Sequence, residues 1–92
     1  MRLIFRFSIP VQKGNEAVSD GTLALALKGL VENVKPEAAY FHLDEGCRAG
    51  PIVFGATDQL EMAEVNEPLF HKLNAKIDIQ PAVSLGELLE KI

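Results

Sequence analysis

The chain has no tryptophan, a single tyrosine and a single cysteine, Cys47. A lone cysteine closes no internal disulfide and founds no thiolate metal site. The two histidines, His42 and His71, lie far apart with no paired spacing, so no metal ligand set is expected. No apolar run approaches the ~20 residues that span a bilayer. Arg2 and Arg6 alternate with apolar residues instead of preceding an apolar block, which is not the pattern of a signal peptide. The nine basic residues never adjoin one another and are outnumbered by thirteen acidic ones, for a net charge of −4. Without a basic stripe there is no footprint for tracking phosphates, and neither nucleic acid nor a membrane is an expected partner. Gly46, Gly50 and Gly55 follow no phosphate-binding spacing, and no cofactor is expected. A cytoplasmic location is the default expectation.

What is present is a globular composition, 48% apolar, in 92 residues. That is one domain, residues 1–92. A chain this short buries a modest fraction of its surface, so association is a natural way to complete its core.

Residues 2–11 alternate, with Leu3, Phe5, Phe7, Ile9 and Val11 on one side and Arg2, Ile4, Arg6 and Ser8 on the other, the pattern of a half-buried strand. Pro10 sits near its end, and Lys13-Gly14-Asn15 reads as the turn out. A helical pattern follows in two pieces, with Asn15 as a possible first cap and Asp20-Gly21-Thr22 as the break. Leu23, Leu27, Leu30, Val31 and Val34 form one apolar stripe. Gly29 inside that helix costs about 1 kcal/mol relative to alanine, which close packing against a sheet would explain. Lys35-Pro36 stops the helix.

Residues 35–56 then read as a β-hairpin. A two-residue turn at Glu45-Gly46 sets Asp44 opposite Cys47 and His42 opposite Ala49. Ala39, Phe41 and Leu43 form one side, and Ala38, Tyr40, His42 and Asp44 the other. Pro51 is awkward in an inner strand, so regular pairing is expected only beyond it. Thr57-Asp58 opens a second helix with Glu61 in its first turn and a stripe of Met62, Val65, Leu69, Phe70 and Leu73. Pro68 predicts a kink or break near Asn66-Glu67, and Asn74 is the expected C-terminal cap. Residues 75–83 alternate again. Ser84-Leu85-Gly86-Glu87 is a capping-box pattern for a short terminal helix with Leu85, Leu88, Leu89 and Ile92 on one side.

The order β-α-β-β-α-β plus a terminal helix predicts an α+β, ferredoxin-like sheet with both main helices on one face. The expected strand order is 4-1-3-2, with the first and third strands parallel and the other neighbours antiparallel. The helices are expected to cover Leu3, Phe5, Phe7, Phe41, Ile52, Phe54, Ile77 and Ile79. The opposite face collects Ile4, Arg6, Ser8, Tyr40, His42, Val53, Asp78 and Gln80. Such a mixed face suits a partner sheet with pockets enclosed between the two.

The run Lys35-Pro36-Glu37-Ala38-Ala39-Tyr40-Phe41 is preceded by Gly14-Asn15 and Asp20-Gly21 and followed by Glu67-Pro68-Leu69-Phe70 and Leu73-Asn74-Ala75. Together these resemble a family of short bacterial proteins of unknown function that is similar to the dimeric α+β barrel superfamily. The resemblance covers nearly the whole chain and is most specific in Pro-Glu-Ala-Ala-Tyr-Phe. It implies pairing as a dimeric α+β barrel. Barrel relatives include muconolactone isomerases, antibiotic-biosynthesis monooxygenases, haem-degrading enzymes and stress-responsive domains. The chain departs from the family pattern around Gly50-Pro51 and Gly55, where bulkier or acidic residues are expected.

Chemistry concentrates on the mixed face. Arg6, Ser8, Tyr40, His42, Asp78 and Gln80 are the pocket candidates, and Arg6 and Asp78 are placed to pair across neighbouring strands. One reading makes His42, beside Tyr40, a general acid/base with Arg6 holding an anionic or carbonyl group. The other makes the same side chains a polar network that sets the register of a homodimer. Two function classes therefore stay open. One is a non-catalytic homodimeric module that binds a small organic ligand on the inner sheet face or a partner protein. The other is a cofactor-independent isomerase or monooxygenase-like enzyme using Tyr40 and His42.

Overall fold

The alternating stretch at the start forms strand β1 (Arg2–Ile9) of the computed structural model, which describes residues 1–92. The strand stops two residues earlier than its alternation predicts. Pro10, with φ −54°, ends it, and the Pro10 carbonyl accepts a hydrogen bond from Gly14 N–H at 2.8 Å. A proline's fixed φ suits a helix start, where its missing donor costs nothing. Helix α1 (Val11–Ser19) therefore begins at once, and Lys13-Gly14-Asn15 lies inside it instead of forming a turn capped by Asn15.

The break at Asp20-Gly21-Thr22 is where it was expected. Gly21 takes φ +81°, and Asp20 Oδ1 accepts from Thr22 N–H at 2.8 Å before helix α2 (Thr22–Val34) begins. Leu30 is buried, and Leu23, Leu27 and Val34 pack against the core, while Val31 faces outward. Gly29 has open space where a Cβ would lie, so close packing does not account for it. Lys35 ends the helix in the left-handed region ahead of Pro36.

In the hairpin, Glu45 and Gly46 both have positive φ, the type I′ turn whose twist matches the strands it joins. Strand β4 (Cys47–Gly55) pairs with two short edge pieces, β2 (Ala38–Ala39) and β3 (His42–Asp44), in one continuous register. Asp44 meets Cys47 and His42 meets Ala49, as the turn chemistry requires. Pairing thus runs on both sides of Pro51 rather than only beyond it. Tyr40 N–H donates to the Pro51 carbonyl at 3.0 Å, but proline has no N–H to return the bond, and the edge strand splits at Tyr40-Phe41. The Tyr40 carbonyl instead lies over Gly50, where any Cβ would overlap it. Phe41, expected in the core, is 65% exposed at this interruption.

The spatial order is β2-β4-β1-β5, with β3 also on β4 and β5 (Lys76–Ala82) on the far side of β1. Every pairing is antiparallel, including that of β1 with β4, where parallel strands were expected. The helical crossover returns the chain in the direction of β1, and the tight hairpin then reverses it, so the returning arm must oppose β1.

The core lies on one side of this sheet, built from Leu3, Phe5, Phe7, Ile9, Ile52 and Phe54 under α1, α2 and α3 (Gln59–Leu73). Phe5 and Phe54 stack obliquely at 6.1 Å. Ile77 and Ile79 are half-buried against the same cluster. Helix α3 is capped by Asp58, which accepts from Glu61 N–H while the Glu61 carboxylate reaches back. Val65, Leu69 and Leu73 are buried, Phe70 is partly exposed, and Asn74 closes the helix with φ +52°. Pro68 does not break α3: it and Glu64, whose carbonyl loses its partner, both lie on the exposed side where water can serve. Helix α4 (Leu85–Lys91) starts at Ser84, whose Oγ accepts from Glu87 N–H at 3.1 Å, and it buries none of its residues. No helix is long and apolar enough to cross a membrane.

Candidate functional site

Residue parity along β1 sends Arg2, Ile4, Arg6 and Ser8 to the sheet face away from the helices. Cross-strand register then arranges that face in rows. Ala38, Val53, Ile4 and Gln80 form one; Tyr40, Pro51, Arg6 and Asp78 the next; His42, Ala49, Ser8 and Lys76 the third. Ile4, Pro51 and Val53 are half-buried, so the middle of the face is apolar and its flanks are polar.

The smallest side chain of the third row makes the cavity. Ala49, 2% exposed, is a floor between the larger His42 and Ser8 directly across its two ladders. Around it Arg6, Ser8, His42, Asp44, Lys76 and Asp78 line a space of about 410 Å³, within the range of small-molecule sites. Four of the six residues predicted from sequence (Arg6, Ser8, His42 and Asp78) therefore come together. Tyr40, 71% exposed, and Gln80 lie outside the cavity. Asp44 and Lys76 were not among the sequence candidates. Asp44 shares the alternation of His42, and Lys76 that of Asp78, so strand parity was the signal that could have found them.

The charges of the site are only loosely committed. Arg6 Nη1 lies 4.0 Å from Asp78 Oδ2, with both side chains more than half exposed. Lys76 and Asp44 enter no ion pair. His42 Nδ1 is 3.1 Å from the Leu43 carbonyl oxygen. An oxygen there can only accept, so in the neutral ring Nδ1 carries the proton and Nε2 is left as an acceptor. No three His, Cys, Asp or Glu side chains converge anywhere, and His71 stands exposed on α3.

A second polar cluster marks the opposite end of the same face. Arg2 Nε donates to Glu37 Oε1 and Arg2 Nη1 to Glu87 Oε1 at 3.0 Å. The bond to Glu37, then that to Glu87, raises the guanidinium pKa further. The bond from Arg2, then that from Ser84, holds the Glu87 carboxyl below its ordinary value. The cleft beside this cluster is lined by Arg2, Glu37, Gly55, Val83 and Glu87. Its one cationic side chain is already held by two carboxylates, which leaves it little to offer a ligand.

No protein-family model matches the chain, and no curated protein matches it. Solved structures do. One is the de novo designed protein Ferredog-Diesel, with a TM-score of 0.52 and 9% identity over 88% of this chain and 85% of that one. At that identity the likeness shows the fold alone. The chain has an α+β, ferredoxin-like fold with an open antiparallel five-stranded sheet and four helices.

Proposed function

We propose that this chain is a non-catalytic binding module that pairs as a homodimer through its open sheet face, in the manner of a dimeric α+β barrel, and holds a small polar organic ligand over Ala49. The observation that carries the reading is the cavity floored by Ala49, with Lys76 and Arg6 on one side of its chemistry and Asp44 and Asp78 on the other. Such a set suits a molecule with an acidic group for the cations and an amine or hydroxyl for the carboxylates. The apolar middle of the face supports the dimer. Ile4, Pro51 and Val53, flanked by Tyr40, form a patch that helices never cover. Tyr40 stands outside the cavity, which weighs against an enzyme in which it works beside His42.

The test is a titration of the isotope-labelled full chain with small amino and hydroxy acids, followed by amide and side-chain NMR. Saturable shifts confined to Ser8, His42, Ala49, Lys76 and Asp78, and lost in Lys76→Ala, are the expected result. Shifts that cluster instead in the groove between α2 and α3, lined by Leu25, Gly29, Glu64 and Pro68, or none that saturate, would refute the site.

A further inference from the structure

The geometry points to α4 as an exchanged arm: in the dimer proposed above, the helix of each copy lies apolar side down against the second copy. The inference rests on that dimer reading. Leu85, Leu88, Leu89 and Ile92 recur at i, i+3, i+4 and i+7, one continuous apolar side, yet none is buried and Ile92 is 87% exposed. Seven residues are far too few for a helix to persist unpacked in water. The chain nonetheless builds this one with care, capping it at Ser84 and tying it through Glu87 to Arg2.

The tie sets where the helix stands. Arg2 belongs to the open-face side of β1, so α4 leaves the chain at the lower end of that face, the side a second copy must occupy. The molecule extends 48 Å by 27 Å by 17 Å, and its radius of gyration is 14.1 Å. A compact chain of this length is expected near 12 Å. The protein is longer than its core requires, and α4 is the element without a core.

Area argues for a second copy as the occupant. The split β2/β3 edge, β4, β1 and β5 form four columns about 4.8 Å apart and about eight residues long, which offer roughly 500 Å² of sheet face on each copy. Both faces together give roughly 1,000 Å², below the ~1,200–2,000 Å² of a stable interface. Two reciprocally docked helices, each about 10 Å long and about 10 Å wide, add roughly 400 Å² with the surfaces they cover. The sheet face alone is marginal, and with the arms it reaches the range of a specific dimer. A two-fold axis makes the exchange reciprocal, so one apolar helix side is hidden on each copy by the same contact.

Sedimentation equilibrium of the full chain, paired with amide hydrogen exchange of residues 85–92, tests this against the double variant Leu88→Asp/Leu89→Asp. The expected result is a wild-type dimer whose α4 amides gain protection only as the dimer forms. In the variant, dimerisation should weaken by roughly 100-fold, as two carboxylates displace buried leucines, while β1 and β4 amides stay protected. A variant that dimerises as tightly as wild type overturns the arm and leaves the sheet-face dimer standing. So does α4 protection independent of concentration, which would place the helix on its own chain. So does a dimer with unprotected α4, which would leave the helix to a different protein. A wild-type chain that stays monomeric removes the dimer reading and the arm with it.

Discussion

Two glycines separate what the backbone requires from what it merely tolerates. Gly50 lies under the Tyr40 carbonyl, and a Cβ there would overlap a backbone atom that cannot swing aside. Gly50→Ala is expected to destabilise the fold by about 1–3 kcal/mol. Gly29, in the interior of α2, meets nothing within reach of a Cβ. Gly29→Ala is expected to stabilise by about 1 kcal/mol, since only the entropy of glycine is lost. Two phenylalanines make a matching pair. Phe5 is fully buried against Phe54, and Phe5→Ala should cost ~3–5 kcal/mol. Phe41 alternates like a core residue but sits where Pro51 interrupts the ladder, so Phe41→Ala should cost less than about 1 kcal/mol. Urea denaturation of the four variants checks all these values. Equal losses at Phe5 and Phe41 would contradict the strand assignment.

Elements were legible where local chemistry decides them. Glu45-Gly46 admits a type I′ turn, and that turn alone placed His42 opposite Ala49. Asp58 with Glu61 and Ser84 with Glu87 announced two helix starts that the structure contains. The misread elements are those in which a proline or an edge reaches beyond its neighbours. Pro10 reads equally as a strand end or a helix start. Phe41 reads as core until Pro51, ten residues on, is seen to split its strand. The caps carry a pH dependence of their own. A hydrogen bond from Thr57 lowers the Glu61 pKa, and one from Arg2 lowers that of Glu87, from ordinary values of 4.5. A carboxylate with a depressed folded pKa stabilises while ionised. Its contribution is complete above about pH 4.5 and is lost as pH falls through the lower folded value. Both groups are exposed, so each effect is small. Helical shifts of α4 amides should therefore fade below about pH 4.5 in wild type. In Glu87→Gln, α4 should already be weakened at neutral pH and change little on acidification. Identical pH profiles for the two chains would contradict the role given to the Arg2–Glu87 tie.

At the scale of the molecule, parity within a strand revealed which face each candidate occupies, and the α+β, ferredoxin-like architecture followed from element order. The cavity was less legible. It depends on Ser8 meeting both Ala49 and Lys76, pairings between segments some forty and seventy residues apart in register that no local pattern encodes. The same gap hid the exclusion of Tyr40, which shares a face with His42 but lies one row below the floor that Ala49 makes. An open face with an apolar middle, a cavity at one end and an unpacked helix at the other is coherent if a second copy covers it. The mass of the full chain in solution tests that most directly. Sedimentation velocity at micromolar concentration is expected to give twice the 10.0 kDa of one chain, and Val53→Lys, which sets a charge in the middle of the face, should halve it. A wild-type species of 10.0 kDa with ordinary stability, unchanged by Val53→Lys, would contradict the pairing.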